Sequence, residues 1–291
     1  MSTRDVVRVG RTPVTRPKSG RRRYGPAHWM RFGVLVLVTA IALTPVAAVL
    51  ALSLQPPMAT GSAGGAGLES FIYVLGRTAT LQWLGNSLLV TSITVVAAVA
   101  VAAPAGYVLS RGRSRLVSGY SLVLFVVQSL PVIVSVIPLF ILFAAMGLAD
   151  TLQGLVIIYV GGALAVATWM MAAYFDSIPV SLEEAAWMDG CSLFGGFVRI
   201  VLRNSLPGIL STAIFSFLVA WNDYLVAIVF LRSQERFTLP IGVQSFFQQN
   251  TTDWGSVMAV AVVMMLPPII VFTALNRYFS VGGIGGSLAG T

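Results

Sequence analysis

Charge is scarce in this chain: only 10% of its 291 residues are Asp, Glu, Lys or Arg, against about 25% in soluble domains. Cysteine is nearly absent as well. Cys191 stands alone, so no disulfide can form within the chain, and His28 is the one histidine, which leaves no His/Cys cluster for a metal. Lysine occurs once, at Lys18 after Pro17. A glycine-rich loop ending in Gly-Lys-Ser/Thr, which cradles nucleotide phosphates, is therefore missing, and catalysis by this chain is not expected. Apolar residues fill the space instead. They make up 57% of the chain, the mean hydropathy is +0.87, and a water-soluble fold could not cover that much apolar surface. The same abundance excludes disorder.

A spanning helix needs about 20 mostly apolar residues, because the hydrocarbon core is about 30 Å thick and a helix rises about 1.5 Å per residue. Six stretches qualify: Phe32–Leu54, Leu88–Leu109, Leu122–Met146, Leu155–Tyr174, Ile209–Leu231 and Val257–Tyr278. The first is too long for the core of a cleaved signal peptide and reads as a retained span. Pro45, Pro104, Pro131, Pro138, Pro267 and Pro268 fall inside these spans. Proline is tolerated there when neighbouring groups satisfy the carbonyls it frees, so kinked helices around a protein-lined cavity are expected. The segment 55–76, with Pro56, Pro57 and a Gly/Ser run, reads as a loop.

The formal net charge is +8. In a soluble protein that would suggest nucleic acid, but its distribution follows the membrane. With the N-terminus inside, the inner side holds 15 of the 18 Arg and Lys, nine of them in the tail from Arg4 to Arg31, and the outer loops hold Arg77, Arg232 and Arg236. Positive charge stays on the cytoplasmic side, so both termini are expected there. The basic tail reads as an orientation and anionic-lipid signal, with no role in nucleic-acid binding.

The inner segment 176–206 is more than a plain loop. Ser181 and Glu184 have capping-box spacing, which starts a helix at Leu182. Gly190 stands where that helix would end in left-handed geometry, and Ser192 can cap a second helix carrying Phe194, Phe197, Val198 and Val201 at helical spacing. Ala185, Ala186 and Gly190 lay bare a surface of little bulk, while Glu183, Glu184 and Asp189 offer charge. Such a helix pair suits either a membrane surface or a docked partner.

Glu184, Ala185, Ala186 and Gly190, followed by the apolar run to Ile200 and Pro207, resemble the EAA loop of permease subunits in ATP-binding-cassette importers. Further segments resemble the carbohydrate-importing, MalG-like branch: Asn86-Ser-Leu88, Ile137-Pro-Leu139, Gly147-Leu-x-Asp-Thr151, Ala220-Trp-Asn-Asp-Tyr224, Thr238-Leu-Pro-Ile-Gly242, Asp253-Trp-Gly255 and Arg277-Tyr278. The resemblance covers residues 30 to 290. It implies an all-α membrane protein, the type I importer permease, with a basic tail over 1–30, a six-helix domain over 31–280, the EAA coupling loop over 176–206 and a C-terminal tail over 281–291. It also implies a MalF-like permease partner, a pair of ATPase subunits holding ATP and magnesium, an extracytoplasmic sugar-binding protein and a carbohydrate substrate in a bacterial inner membrane. Glu184, Ala185, Ala186, Asp189 and Gly190 would meet the ATPase. Two segments depart from the family. Leu202-Arg203-Asn204 replaces the usual Leu-Pro-Leu, which predicts a straighter end to the coupling segment, and Gly286-Ser-Leu-Ala-Gly290 alters the tail.

Asp223 is the one acid expected well inside a span, where insertion costs on the order of 2.5–3.5 kcal/mol. With Trp221 and Asn222 beside it, and Gln128 in the third span, it could line a sugar path, the indole stacking on a ring and the polar groups meeting hydroxyls. It could equally make a hydrogen bond between helices. A transporter driven by an ion gradient is the alternative for the whole chain, and it would need more intramembrane acids than this one.

Overall fold

The computed structural model describes the backbone of residues 26–58, 67–247 and 252–279, with side chains between 29 and 275. The expected tails over 1–30 and 281–291 therefore lie outside the described residues, save for 26–30, as do the side chains of His28, Arg277 and Tyr278. Among the described residues the β structure is one isolated bridge, Phe247 to Thr252.

The helices are α1 (Pro26–Ser53), α2 (Glu69–Arg77), α3 (Thr80–Arg111), α4 (Arg115–Ser129), α5 (Val132–Ala145) and α6 (Leu152–Asp176). In the next segment come α7 (Ser181–Met188), α8 (Leu193–Gly196) and α9 (Leu202–Asn204), the last two joined by a π turn over Phe197–Val201. After them run α10 (Leu206–Asn222), α11 (Leu225–Phe230), the short α12 (Leu239–Gly242) and α13 (Trp254–Phe279). Four helices are long and apolar enough to cross a membrane, and the count reaches six if each of two bent helix pairs is one span.

The chain divides into two units after Ala47. In the first, residues 26–47 of α1 form an unbroken apolar helix with Pro45 inside it, and the Thr44 hydroxyl donates to the Ala40 carbonyl at 2.9 Å. This intrahelical bond hides the hydroxyl from lipid.

In the second unit α3 and α6 form the spine, sharing the most extensive helix contact in the fold. Their backbones approach closely because Ala102, Gly106 and Ser110 recur every fourth residue on α3, facing Ala167, Thr168 and Ala172 on α6. Small residues at this spacing are how helices pack tightly in lipid, where no hydrophobic force drives them together. α10 lies across both helices, and α13 packs on α10 and α2.

Two expected spans are not single helices. The third breaks at Leu130 and Pro131, both extended (ψ 126° and 125°), and α4 meets α5 at 97°. Proline lacks the amide and pushes the residue before it out of helical geometry. Pro104 and Pro138, by contrast, stay inside continuous helices. The fifth expected span stops at Asn222 and resumes as α11 after an extended Asp223. Its other end is bent by 74° against the 193–204 segment, so the straighter ending predicted from Arg203 is not found. Ser205 turns the chain there, its amide bonded to Val201 and Leu202 carbonyls and its hydroxyl to Val201. Arg203 is exposed.

Pro268 frees the carbonyl of Met264 within α13, and the indole nitrogen of Trp221 donates to that oxygen at 3.1 Å. The expectation that neighbours repair proline defects holds at this position, residue by residue.

Candidate functional site

The 176–206 loop is built from short, well-terminated helices. The Glu183 and Glu184 amides bond the Val180 carbonyl, and the Leu182 amide bonds that of Pro179. Val180 is already helical and no side chain caps α7, so the expected Ser181–Glu184 capping box does not form. The fixed φ of Pro179 starts the turn early and places Ser181 inside it. At the far end Gly190 has φ +85°. Its amide bonds the Trp187 carbonyl and the Cys191 amide that of Ala186, both at 3.0 Å, which is the Schellman arrangement that stops a helix on a left-handed residue. Ser192 then caps α8, accepting from the Gly195 amide at 3.1 Å, as its position predicts.

Glu184, Ala185, Asp189 and Gly190 are exposed, together with Met188, Leu193 and Phe194. Ala186 is buried, so the small-residue surface is narrower than expected. The larger correction concerns Glu183, which has no exposed surface at all. Its carboxylate accepts from the Tyr107 hydroxyl at 2.6 Å and from Nε and Nη2 of Arg111 at 2.9 and 2.7 Å. Arg111 also donates to the Ile178 carbonyl and the Ser110 hydroxyl, and that hydroxyl donates to Asp176 at the end of α6. Helical spacing puts Glu183 on the face of Ala186, three residues on, and that was the one signal available in the sequence. On the next segment Phe197 and Val201 are buried with Ala102, Ala103, Met171, Phe175 and Ile178, and the Tyr107 and Phe197 rings lie 4.7 Å apart.

The four pathway candidates are not brought together. Trp221 is 1% exposed, stacked on Phe217 with 9° between the ring planes, so its indole is packing between helices and presents no face to a sugar. Asn222 is exposed and donates to the Leu218 carbonyl of its own helix. Gln128 is exposed on α4, a helix with no buried residue. Asp223 sits at the helix break instead of within a span. Its Oδ1 accepts from the Val226 and Ala227 amides at 3.1 Å and from the Tyr159 hydroxyl at 2.8 Å. A carboxylate at a helix start satisfies amides that have no partner in the helix, which is the interhelical hydrogen-bond reading of this residue.

At the other ends of the spans, several motifs prove to be fasteners. Asn86 donates to the Glu235 and Phe237 carbonyls, the Trp83 indole to that of Gln234, and Ser87 accepts from the Leu239 amide. Gly242 lies against Trp83, where an added Cβ would come within 2.1 Å of the ring. Asp150, at φ +51°, accepts from the Arg232 and Ser233 amides and the Ser233 hydroxyl, with Arg236 at 3.7 Å. Burial pushes its carboxyl upward, but the Ser233 and Arg232 bonds and the Arg236 charge outweigh burial and hold it below the usual aspartate value. A depressed folded pKa gives stability that is present above the unfolded value, about 3.9 for aspartate, and lost as pH falls through the folded value. Asp150→Asn, which tolerates the same left-handed backbone, is expected to lower the melting temperature at neutral pH, with the gap to the original protein closing below about pH 3.9. A gap that persists unchanged at acid pH would remove the charge from the account.

Four to six apolar spans and a helix–glycine–helix loop make this an all-α chain with helices long enough to cross a membrane. Residues 102–281 match the binding-protein-dependent transport system inner membrane components, and the chain belongs to that family. It is 35% identical over 210 residues to the inner membrane ABC transporter permease protein YcjP of Escherichia coli K12, spanning 72% of this chain and 75% of that one. It is 30% identical over 293 residues to the maltose/maltodextrin transport system permease protein MalG of Yersinia pestis, spanning 93% of this chain and 95% of that one. A solved bacterial ABC transporter involved in the import of the acidic polysaccharide alginate has a chain of the same fold, at a TM-score of 0.72 and 22% identity, covering 88% of this chain and 99% of that one. Family membership leaves the ion-gradient alternative without support.

Proposed function

We propose that this chain is one of two permease subunits of a binding-protein-dependent carbohydrate importer in a bacterial inner membrane, with both termini cytoplasmic. A MalF-like subunit would complete the pathway. A pair of ATPase subunits holding ATP and magnesium would dock on the 176–206 loop, and an extracytoplasmic binding protein would deliver sugar. The observation that carries this reading is the loop itself: two helix ends locked at Gly190, exposing Glu184, Ala185, Asp189, Met188 and Phe194 while the other face is fixed to the spans. Such a surface offers acidic and apolar contacts to a partner at a set angle. ATP-driven sugar uptake would then follow from ATP closing the ATPase pair and moving the docked helices.

The turn is the place to test it. No neighbouring atom would obstruct a Cβ at Gly190, but φ is +85°, so a valine there strains the backbone by about 1–2 kcal/mol or refolds the turn. Asparagine tolerates this geometry. In the reconstituted complex Gly190→Val is expected to cut sugar uptake about tenfold or more, an effect of about 1.4 kcal/mol or greater, with Gly190→Asn much milder. Uptake and sugar-stimulated ATP turnover unchanged in the valine variant would overturn the assigned role of the turn.

A further inference from the structure

Glu183 is the only ionisable side chain with no exposed surface among the described residues, and its environment is more elaborate than burial demands. Both carboxylate oxygens are engaged, one by the Tyr107 hydroxyl and one by two nitrogens of Arg111. The same guanidinium reaches the Ile178 carbonyl in the link between α6 and α7, and through Ser110 it joins Asp176. Four groups from the ends of α3 and α6 and from the link, the Tyr107 and Ser110 hydroxyls, the Asp176 carboxylate and the Ile178 carbonyl, thus gather about one ion pair. Buried pairs of this kind add little net stability, since desolvation offsets their attraction, but they tolerate few arrangements and so fix orientation. Arginine suits the task because its planar fork is rigid and always charged.

A second attachment lies on the other side of Gly190. Phe197 and Val201 are set among Ala102, Ala103, Met171, Phe175 and Ile178 at the same ends of α3 and α6, with the Tyr107 ring packed on Phe197. Tyr107 therefore belongs to both attachments, its hydroxyl to Glu183 and its ring to Phe197. Small residues on the spans make room for this seat. Between the two attachments the Gly190 turn is closed by its own backbone bonds, and the side chains left over, Met188, Leu193 and Phe194, point to the exterior.

We infer that the Arg111–Glu183 pair is a positioning clamp which makes the 176–206 loop and the ends of α3 and α6 one rigid body, so that a push on the loop becomes a tilt of the spans. The inference rests on the importer reading above for the source of the push, and on the described geometry alone for the rigidity. Without the clamp the loop keeps its apolar seat but gains freedom at α7, and ATP-driven movement is absorbed within the loop.

The test uses the assembled complex with Arg111→Met, Arg111→Lys and Tyr107→Phe. Uptake per ATP hydrolysed is expected to fall in Arg111→Met by about 3- to 30-fold, the range for residues that carry coupling. Arg111→Lys keeps the charge without the fork and should recover part of it, and Tyr107→Phe should show the smallest loss. Coupling unchanged in Arg111→Met would overturn the clamp. A second measurement covers variants that fail to assemble: with Cys191→Ser as background, spin labels at Met188→Cys and Arg113→Cys report the distance from α7 to the link just beyond the end of α3. One narrow distance, the same with and without ATP, is expected, and Glu183→Gln should broaden it. A distance that shifts on ATP addition, or no broadening in Glu183→Gln, would sink the inference. Absence of any sugar-stimulated ATP turnover in the unmodified complex would instead refute the importer reading, and the label distances without ATP would still decide the clamp.

Discussion

Replacing Gly106 with leucine is expected to abolish recovery of folded protein. An added Cβ at Gly106 would lie 2.8 Å from the Met171 Cβ, 2.9 Å from the Thr168 carbonyl oxygen and 3.0 Å from the Ala172 amide nitrogen. Two of these three atoms are backbone, so no rotamer change relieves the clash and the helices must separate. Alanine alone should cost about 1–3 kcal/mol, the range for overpacking by a methyl group. Leucine adds three more carbons at the tightest point of the α3–α6 spine, on which α10 also rests. The measurement is thermal unfolding and monodispersity of the purified protein in detergent. A leucine variant that melts within about 2 °C of the original, a loss of about 1 kcal/mol for a domain of this size, would show that the two backbones are not in contact there.

The second large effect is expected at Trp221. Truncation to alanine should cost about 3–5 kcal/mol, as for other buried tryptophans, because the side chain is 1% exposed and stacked on Phe217. The finer prediction separates packing from hydrogen bonding. Trp221→Phe keeps a ring but withdraws the donor from the Met264 carbonyl, an oxygen that Pro268 cannot serve. Leaving it unsatisfied should cost about 1–3 kcal/mol. In a Pro268→Ala background the helix supplies its own amide, so the same substitution should cost clearly less. This double-mutant cycle, read by thermal unfolding, tests whether the indole repairs the proline defect. Equal losses in both backgrounds would refute the pairing. A sugar-stacking role for Trp221 makes the opposite forecast, unchanged stability with a raised KM for uptake.

These two positions mark where reading along the chain succeeds and where it stops. Gly190, Ser192 and the apolar spans of α3, α6 and α13 were legible because each depends on a few residues close in sequence: a left-handed residue, a capping hydroxyl, a run long enough for the bilayer. The break at Leu130 and Pro131 was visible only as a kink, since Pro104 and Pro138 carry the same local signal without breaking their helices. The capping box failed because Pro179 starts the turn before Ser181 can cap it. Asp223 carried a true signal, an acid too costly to leave in lipid, but its partners are the amides of the next helix and Tyr159, 64 residues away.

Glu183 shows the same division within a single motif. The sequence by itself determined that the chain is built for a membrane, which segments are apolar and long enough to cross it, where the loop helices turn, and to what family the order of motifs belongs, because hydropathy, backbone geometry and spacing are local quantities. The tertiary structure alone decided which of three neighbouring acids stay exposed and which is held by Arg111, 72 residues earlier. It also decided that Trp221 serves a proline defect on another helix. The physical reason is common to both cases. A polar group removed from water must find a partner wherever the packed helices place one, and that place is fixed by the close approach of α3, α6, α10 and α13, which no stretch of sequence encodes alone.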